Sequence, residues 1–72
     1  MVDRVEVESS NLKSVGYDEE AGALEVEFHS GAIYRYESVP KNEYEALVEA
    51  ESVGKHFNTN IKSSGYNYTR VI

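Results

Sequence analysis

Leu24-Glu25-Val26-Glu27-Phe28 sets apolar side chains against carboxylates with a strict period of two. That is the signature of a strand with one face buried, and it constrains the fold more than any other feature of the chain. His29-Ser30-Gly31 follows, and then a second extended segment that contains Tyr34-Arg35-Tyr36. The two segments form a hairpin whose register depends on the loop. With a Ser30-Gly31 loop, Phe28 faces Ile33, and Tyr34 and Tyr36 stand opposite Glu27 and Glu25. With His29-Ser30-Gly31 as the loop and Gly31 as the left-handed residue of a bulge, the pairing slips by one residue. Val26 then meets Tyr34, Leu24 meets Tyr36, and Glu25 meets Arg35. This second register gathers the apolar groups on one face and pairs opposite charges on the other, and it is the one expected.

The segments on either side extend the hairpin. Val5 and Val7 alternate with Glu6 and Glu8 as a short strand, and Ser9-Ser10-Asn11 turns the chain into a second strand from Leu12 to Tyr17. Asp18 to Gly22 is a polar turn closed by glycine. Pro40 suits the first turn of a helix running to about Glu51, with Tyr44, Leu47 and Val48 as its buried stripe. Glu43, Glu45 and Glu49 fall mainly on its other faces. Ser52 reads as the N-cap of a shorter helix in which Val53, Phe57 and Ile61 recur at i, i+4 and i+8. Ser63-Ser64-Gly65 ends it, and the alternation from Tyr66 to Ile72 predicts a terminal strand. The expected architecture is a single α+β domain over residues 1–72. It is a small antiparallel meander of about three to five strands, with one main helix and one short C-terminal helix on one face.

Seventy-two residues lie near the size at which a single core only just offsets chain entropy, and without cysteine no disulfide or thiolate metal site can help. The opening MVDRVEVE has neither a basic n-region nor an apolar run, so a cytoplasmic protein is expected, with no role in a membrane.

The net charge of −6 is unevenly spread. All 13 acidic residues fall within residues 1–51, giving that part −9, whereas residues 52–72 carry only Lys55, Lys62 and Arg70, giving +3. Such segregation marks an interaction face, unless the acidic helix merely sits against the basic tail.

Ser9-Ser10-Asn11-Leu12 before Val15-Gly16-Tyr17, Leu24 to Phe28, and Gly31 before Tyr34-Arg35-Tyr36 are followed by Val39-Pro40 and Ser52-x-Gly54-x-x-Phe57-Asn58-x-x-Ile61, together spanning nearly the whole chain. In that order and spacing they carry a resemblance to the KTSC domain, a family named for its occurrence at the C-terminus of some lysyl-tRNA synthetases and found also as a free-standing small protein. The resemblance implies a compact fold and, by association with the synthetase, RNA binding. It carries over no catalytic residues.

Two groups of side chains are candidates for function. Tyr34-Arg35-Tyr36 could stack bases and meet phosphate, or the rings could be core with Arg35 paired to Glu25. As family-motif residues, Tyr34, Arg35, Tyr36 and Phe57 are read as structural. The basic tail is the binding candidate. There Lys55, Lys62 and Arg70 would contact phosphates, His56 would add a further basic group, Asn58 would hydrogen-bond, and Tyr66 or Tyr68 would stack. The amides near Gly54 could receive an anion, or Asn58 could simply serve the end of the helix.

Catalysis is not expected. There is no phosphate loop, dinucleotide fingerprint or glycine-flanked serine, and His29 and His56 lie on separate elements without a ligand motif. No cofactor or metal is expected. The leading function is therefore a non-catalytic module for RNA or single-stranded nucleic acid. The alternative is a protein-interaction module that self-associates by a sheet edge or docks a basic partner on its acidic helix face.

Overall fold

The computed structural model describes residues 4–72; Met1 to Asp3, which open the segment read for export signals, lie outside the described residues. The strands β1 (Arg4–Glu6), β2 (Leu12–Asp18), β3 (Ala23–Phe28) and β4 (Ile33–Tyr36) come first in the chain. The helix α1 (Lys41–Glu49) and the single turn α2 (Val53–His56) come next. A π-helical turn (Phe57–Ile61) and a 3₁₀ turn (Lys62–Ser64) lead into β5 (Tyr68–Arg70). The five strands form one antiparallel sheet in the order β1-β2-β3-β4-β5, with the helical segment inserted between the last two. This is the expected α+β meander.

The β3–β4 hairpin takes the bulged register. Leu24 pairs with Tyr36, Glu25 with Arg35 and Val26 with Tyr34. Gly31 has φ of +96°, a conformation that a side chain would strain, and its N–H donates to the Phe28 carbonyl. Because side chains alternate across a strand, this choice sends both tyrosines to the face that the helices cover. The core on that face joins Leu12, Val15, Leu24, Val26 and Tyr36 to Val39, Leu47, Val53, Phe57 and Ile61.

The helix α1 ends two residues earlier than expected, at Glu49, and Pro40 caps it from outside. Tyr17 and Tyr44 stack at 5.3 Å, tying β2 to α1. Ser52 is the N-cap of α2, as expected, its hydroxyl accepting from the Lys55 N–H at 3.4 Å. The π turn after α2 was not legible in the sequence, where the spacing of Val53, Phe57 and Ile61 suggested continuous α-helix. All three are buried nonetheless. An α-helix overshoots by about 40° every four residues, and the wider turn brings Ile61 back over the sheet. The terminal strand is shorter than the Tyr66–Ile72 alternation predicts, although Ile33 still exchanges backbone hydrogen bonds with Val71 and Ile72.

The opposite face of the sheet is ionic. The Glu25 carboxylate lies between two guanidinium groups, 2.9 Å from Arg4 Nη1 and 3.0 Å from Arg35 Nη1. Arg35 also reaches Asp18 at 3.1 Å. That bond, with N–H donation from Ala21, holds the Asp18 carboxyl below the usual carboxylate range. No helix among the described residues is long and apolar enough to cross a membrane.

Candidate nucleic-acid interface

The β4–β5 register determines which tail residues face the helices. Tyr36 pairs with Tyr68 and Tyr34 with Arg70, so all four side chains emerge on the same face. There they line an open groove of about 520 Å³ beside the hairpin end, and Lys62, the first residue of the 3₁₀ turn, lines it as well. The aromatic floor is continuous. Tyr68 lies 5.7 Å from Tyr34 and 5.2 Å from Tyr36, ring centre to ring centre, and Phe28 meets Tyr34 edge-on at 5.6 Å. Behind them Phe57 packs edge-on against Tyr36 at 5.6 Å.

Burial grades the rings. Tyr36 is only 5% exposed, Tyr34 is half-buried and Tyr68 is 60% exposed. Burial, and then the neighbouring Tyr68 and Tyr34, pushes the Tyr36 hydroxyl above its ordinary pKa, so it stays protonated. Among the described residues no acidic side chain lines the groove. Lys62 and Arg70 make no salt bridge among the described residues; Arg70 donates from Nε to the Ile72 carbonyl at 2.9 Å. Its terminal Nη groups have no protein partner among the described residues. Two cations, the exposed ring of Tyr68 and the half-buried ring of Tyr34, over the buried Tyr36, are thus available to a planar, anionic ligand.

The other tail residues lie elsewhere. Lys55 and His56 line a separate, shallower concavity of about 400 Å³ together with Glu51 and Asn60, and it shares no lining residue with the groove. His56 Nε2 is 3.1 Å from Glu43 Oε1, and Asn60 Nδ2 is 3.3 Å from the other ring nitrogen. At His56, then, the acidic helix does sit against the basic tail, and Glu43 is a carboxylate that no sequence motif placed beside it. Tyr66 is half-buried against the core. Asn58 is exposed, and its carbonyl accepts from the Ser63 hydroxyl at 2.8 Å, helping to close the turn.

The Cα of Gly54, whose neighbouring amides were read as a candidate anion site, faces Ser9: a Cβ there would lie 2.5 Å from Ser9 Oγ. That serine caps the strand start by accepting from the N–H groups of Asn11 and Leu12. Arg35, central to the Tyr34-Arg35-Tyr36 triplet, points away from the two tyrosines into the ionic face. The rings are both core and groove floor, so the two readings offered for them are not exclusive. Phe28, Ser30 and Ala32, which complete the groove, carried no distinguishing signal. The alternation of Tyr68 and Arg70 with the same period as Tyr34 and Tyr36 was the one available hint. Among the described residues no three His, Cys, Asp or Glu side chains cluster as metal ligands.

The KTSC domain family model matches residues 8–69. An uncharacterised protein of Stutzerimonas stutzeri is 54% identical over 68 residues, which cover 94% of this chain and 96% of that protein. A lysine–tRNA ligase of Nostoc punctiforme is 42% identical over 55 residues, 76% of this chain and 10% of the ligase. The crystal structure of a KTSC domain protein from Yersinia pestis superposes with a TM-score of 0.93 at 29% identity, over 100% of both chains.

Proposed function

This chain belongs to the KTSC domain family, and from that premise we propose that it is a non-catalytic module that binds unpaired nucleic acid, RNA foremost, in the groove between β4–β5 and the 3₁₀ turn. One observation carries the reading: Tyr34, Tyr36 and Tyr68 form a floor flanked by Lys62 and Arg70, in a groove that no acidic side chain among the described residues lines. Stacking on tyrosine and pairing of phosphate with cations are the two interactions by which proteins hold single strands without reading sequence. The likeness of most of this chain to a segment of a tRNA ligase supports the same polymer class. A cytoplasmic location belongs to this reading, since that is where the ligand would be met.

An amide-shift titration of the ¹⁵N-labelled protein with mixed single-stranded RNA at low salt tests it. Saturable shifts are expected at Ala32, Tyr34, Tyr36, Lys62, Tyr68 and Arg70, and they should vanish in the Lys62→Glu/Arg70→Glu double variant. Absence of shifts at low salt, or shifts indifferent to that reversal, would refute it. A second reading, self-association or docking of a protein partner, draws on Val5, Val71 and Ile72, which are half or more exposed at the two outer edges of the sheet. Sedimentation velocity across a concentration series decides for or against self-association.

A further inference from the structure

We infer that the groove is a site for one or two unpaired nucleotides, not a track for a long strand; the inference rests on the nucleic-acid reading and narrows its ligand. The size of the groove is the first ground. Single-strand tracks on small barrels accommodate about 4–16 nucleotides, whereas a volume of about 520 Å³ falls in the roughly 300–1,000 Å³ range of small-molecule sites.

The placement of charge is the second ground. A track needs cations spaced along a path, and here the path stops. Lys62 and Arg70 line the groove, but Lys55 and His56 line a concavity with which it shares no residue. Glu51 lines that second concavity and Glu43 holds the imidazole of His56, so a strand leaving the groove that way would meet carboxylates. The chain as a whole is −6, which adds a long-range penalty for every further phosphate.

The chemistry of the site specifies the rest. The exposed ring of Tyr68 takes one base face, the Lys62 ammonium and the Nη groups of Arg70 take one or two phosphates, and half-buried Tyr34 offers an edge for a second base. Such a ligand is a nucleoside phosphate, arriving free or as a short unpaired segment of a folded RNA.

The test compares uridine monophosphate, 5′-phosphorylated diuridylate and decauridylate by amide-shift titration across a salt series, with inorganic phosphate as a fourth probe. The diuridylate should saturate the groove amides with an affinity within about threefold of the decamer per binding site. Its logarithmic salt slope should be no steeper than about −1.4, the value for two phosphates. Tyr68→Ala should weaken it about tenfold, whereas Lys13→Glu, on the far side of the sheet from β5, should leave it unchanged. If the monophosphate binds as well as the diuridylate, a free nucleotide is the source; if the diuridylate is tighter, a strand is.

Strong binding of the decamer alone, with shifts spreading over Ser52 to Thr59 and a steeper slope, would overturn the short footprint and leave the nucleic-acid reading standing. Equal shifts from inorganic phosphate would overturn the role of the rings. No shifts from any probe would remove both readings together.

Discussion

Gly54 and Ser9 show how closely single atoms are set in this domain. The α2 turn rests on the β1–β2 connection at a distance that only hydrogen on Cα permits, since a Cβ at Gly54 would lie 2.5 Å from Ser9 Oγ. The hydroxyl is not free to swing away without giving up the N–H groups of Asn11 and Leu12. Gly54→Ala should therefore destabilise the protein by about 1–2 kcal/mol, the range of modest overpacking. In a Ser9→Ala background the nearest atom is Ser9 Cβ at 3.7 Å, an ordinary contact. There the same change should be neutral or stabilising, because alanine is the better helix former by about 1 kcal/mol. Urea denaturation of the four proteins measures the cycle. Equal costs in both backgrounds would show that the clash is not with the hydroxyl.

Among the elements, the π turn matters most for the site. It lies between Phe57 and Lys62, whose N–H donates to the Phe57 carbonyl five residues back. A π turn is an α-helix with one residue inserted, so removing one exposed residue lets the helix close normally while the downstream chain stays nearly in place. Deletion of Thr59 should then keep Ile61 in the core and Lys62 on the groove. Deletion of Lys55, in the α-helical turn, rotates Phe57 and everything beyond it by about 100°. That exposes two fully buried side chains, each a change in the range of about 2–5 kcal/mol. The expected order of unfolding free energies from urea denaturation is wild type, then the Thr59 deletion, then the Lys55 deletion at least about 2 kcal/mol lower by the same reasoning. The reverse order would mean that the wide turn itself is required.

For the whole molecule the decisive quantity is the charge field. Among the described residues the groove has no acidic lining, but it belongs to a chain of net charge −6, with exposed Glu45 and Glu49 on α1. Repulsion from those carboxylates acts through solvent and is screened over about 10 Å at 0.1 M salt. Replacing both with glutamine should tighten oligouridylate binding by about two- to threefold at low salt, and the gain should disappear near 1 M, where the screening length is about 3 Å. Fluorescence anisotropy with a labelled oligonucleotide reads this directly. A gain that survives high salt would place one of these carboxylates in contact with the ligand.

Short-range patterns determined most of the architecture. The alternation in β3, the loop ending in Gly31 and the opposite charges of Glu25 and Arg35 were enough to select the register, because a one-residue slip would have put Arg35 on the apolar face and the rings beside the carboxylates. The N-cap at Ser52 and the buried spacing of Val53, Phe57 and Ile61 were legible for the same reason: each depends on neighbours within a few residues. What lies between elements was not legible. The sequence counted Lys55, His56, Lys62 and Arg70 as one basic tail, and only the tertiary structure separated them, sending Lys62 and Arg70 to the groove and His56 to Glu43. It also joined Tyr68 to Tyr34 and Tyr36 across a β4–β5 pairing whose partners are more than thirty positions apart in the chain. Composition and periodicity record what each residue tends to do locally. Which cations and rings share a surface depends on where the wide turn re-aims the chain and which strand its end pairs with, and both are settled by packing the whole core at once.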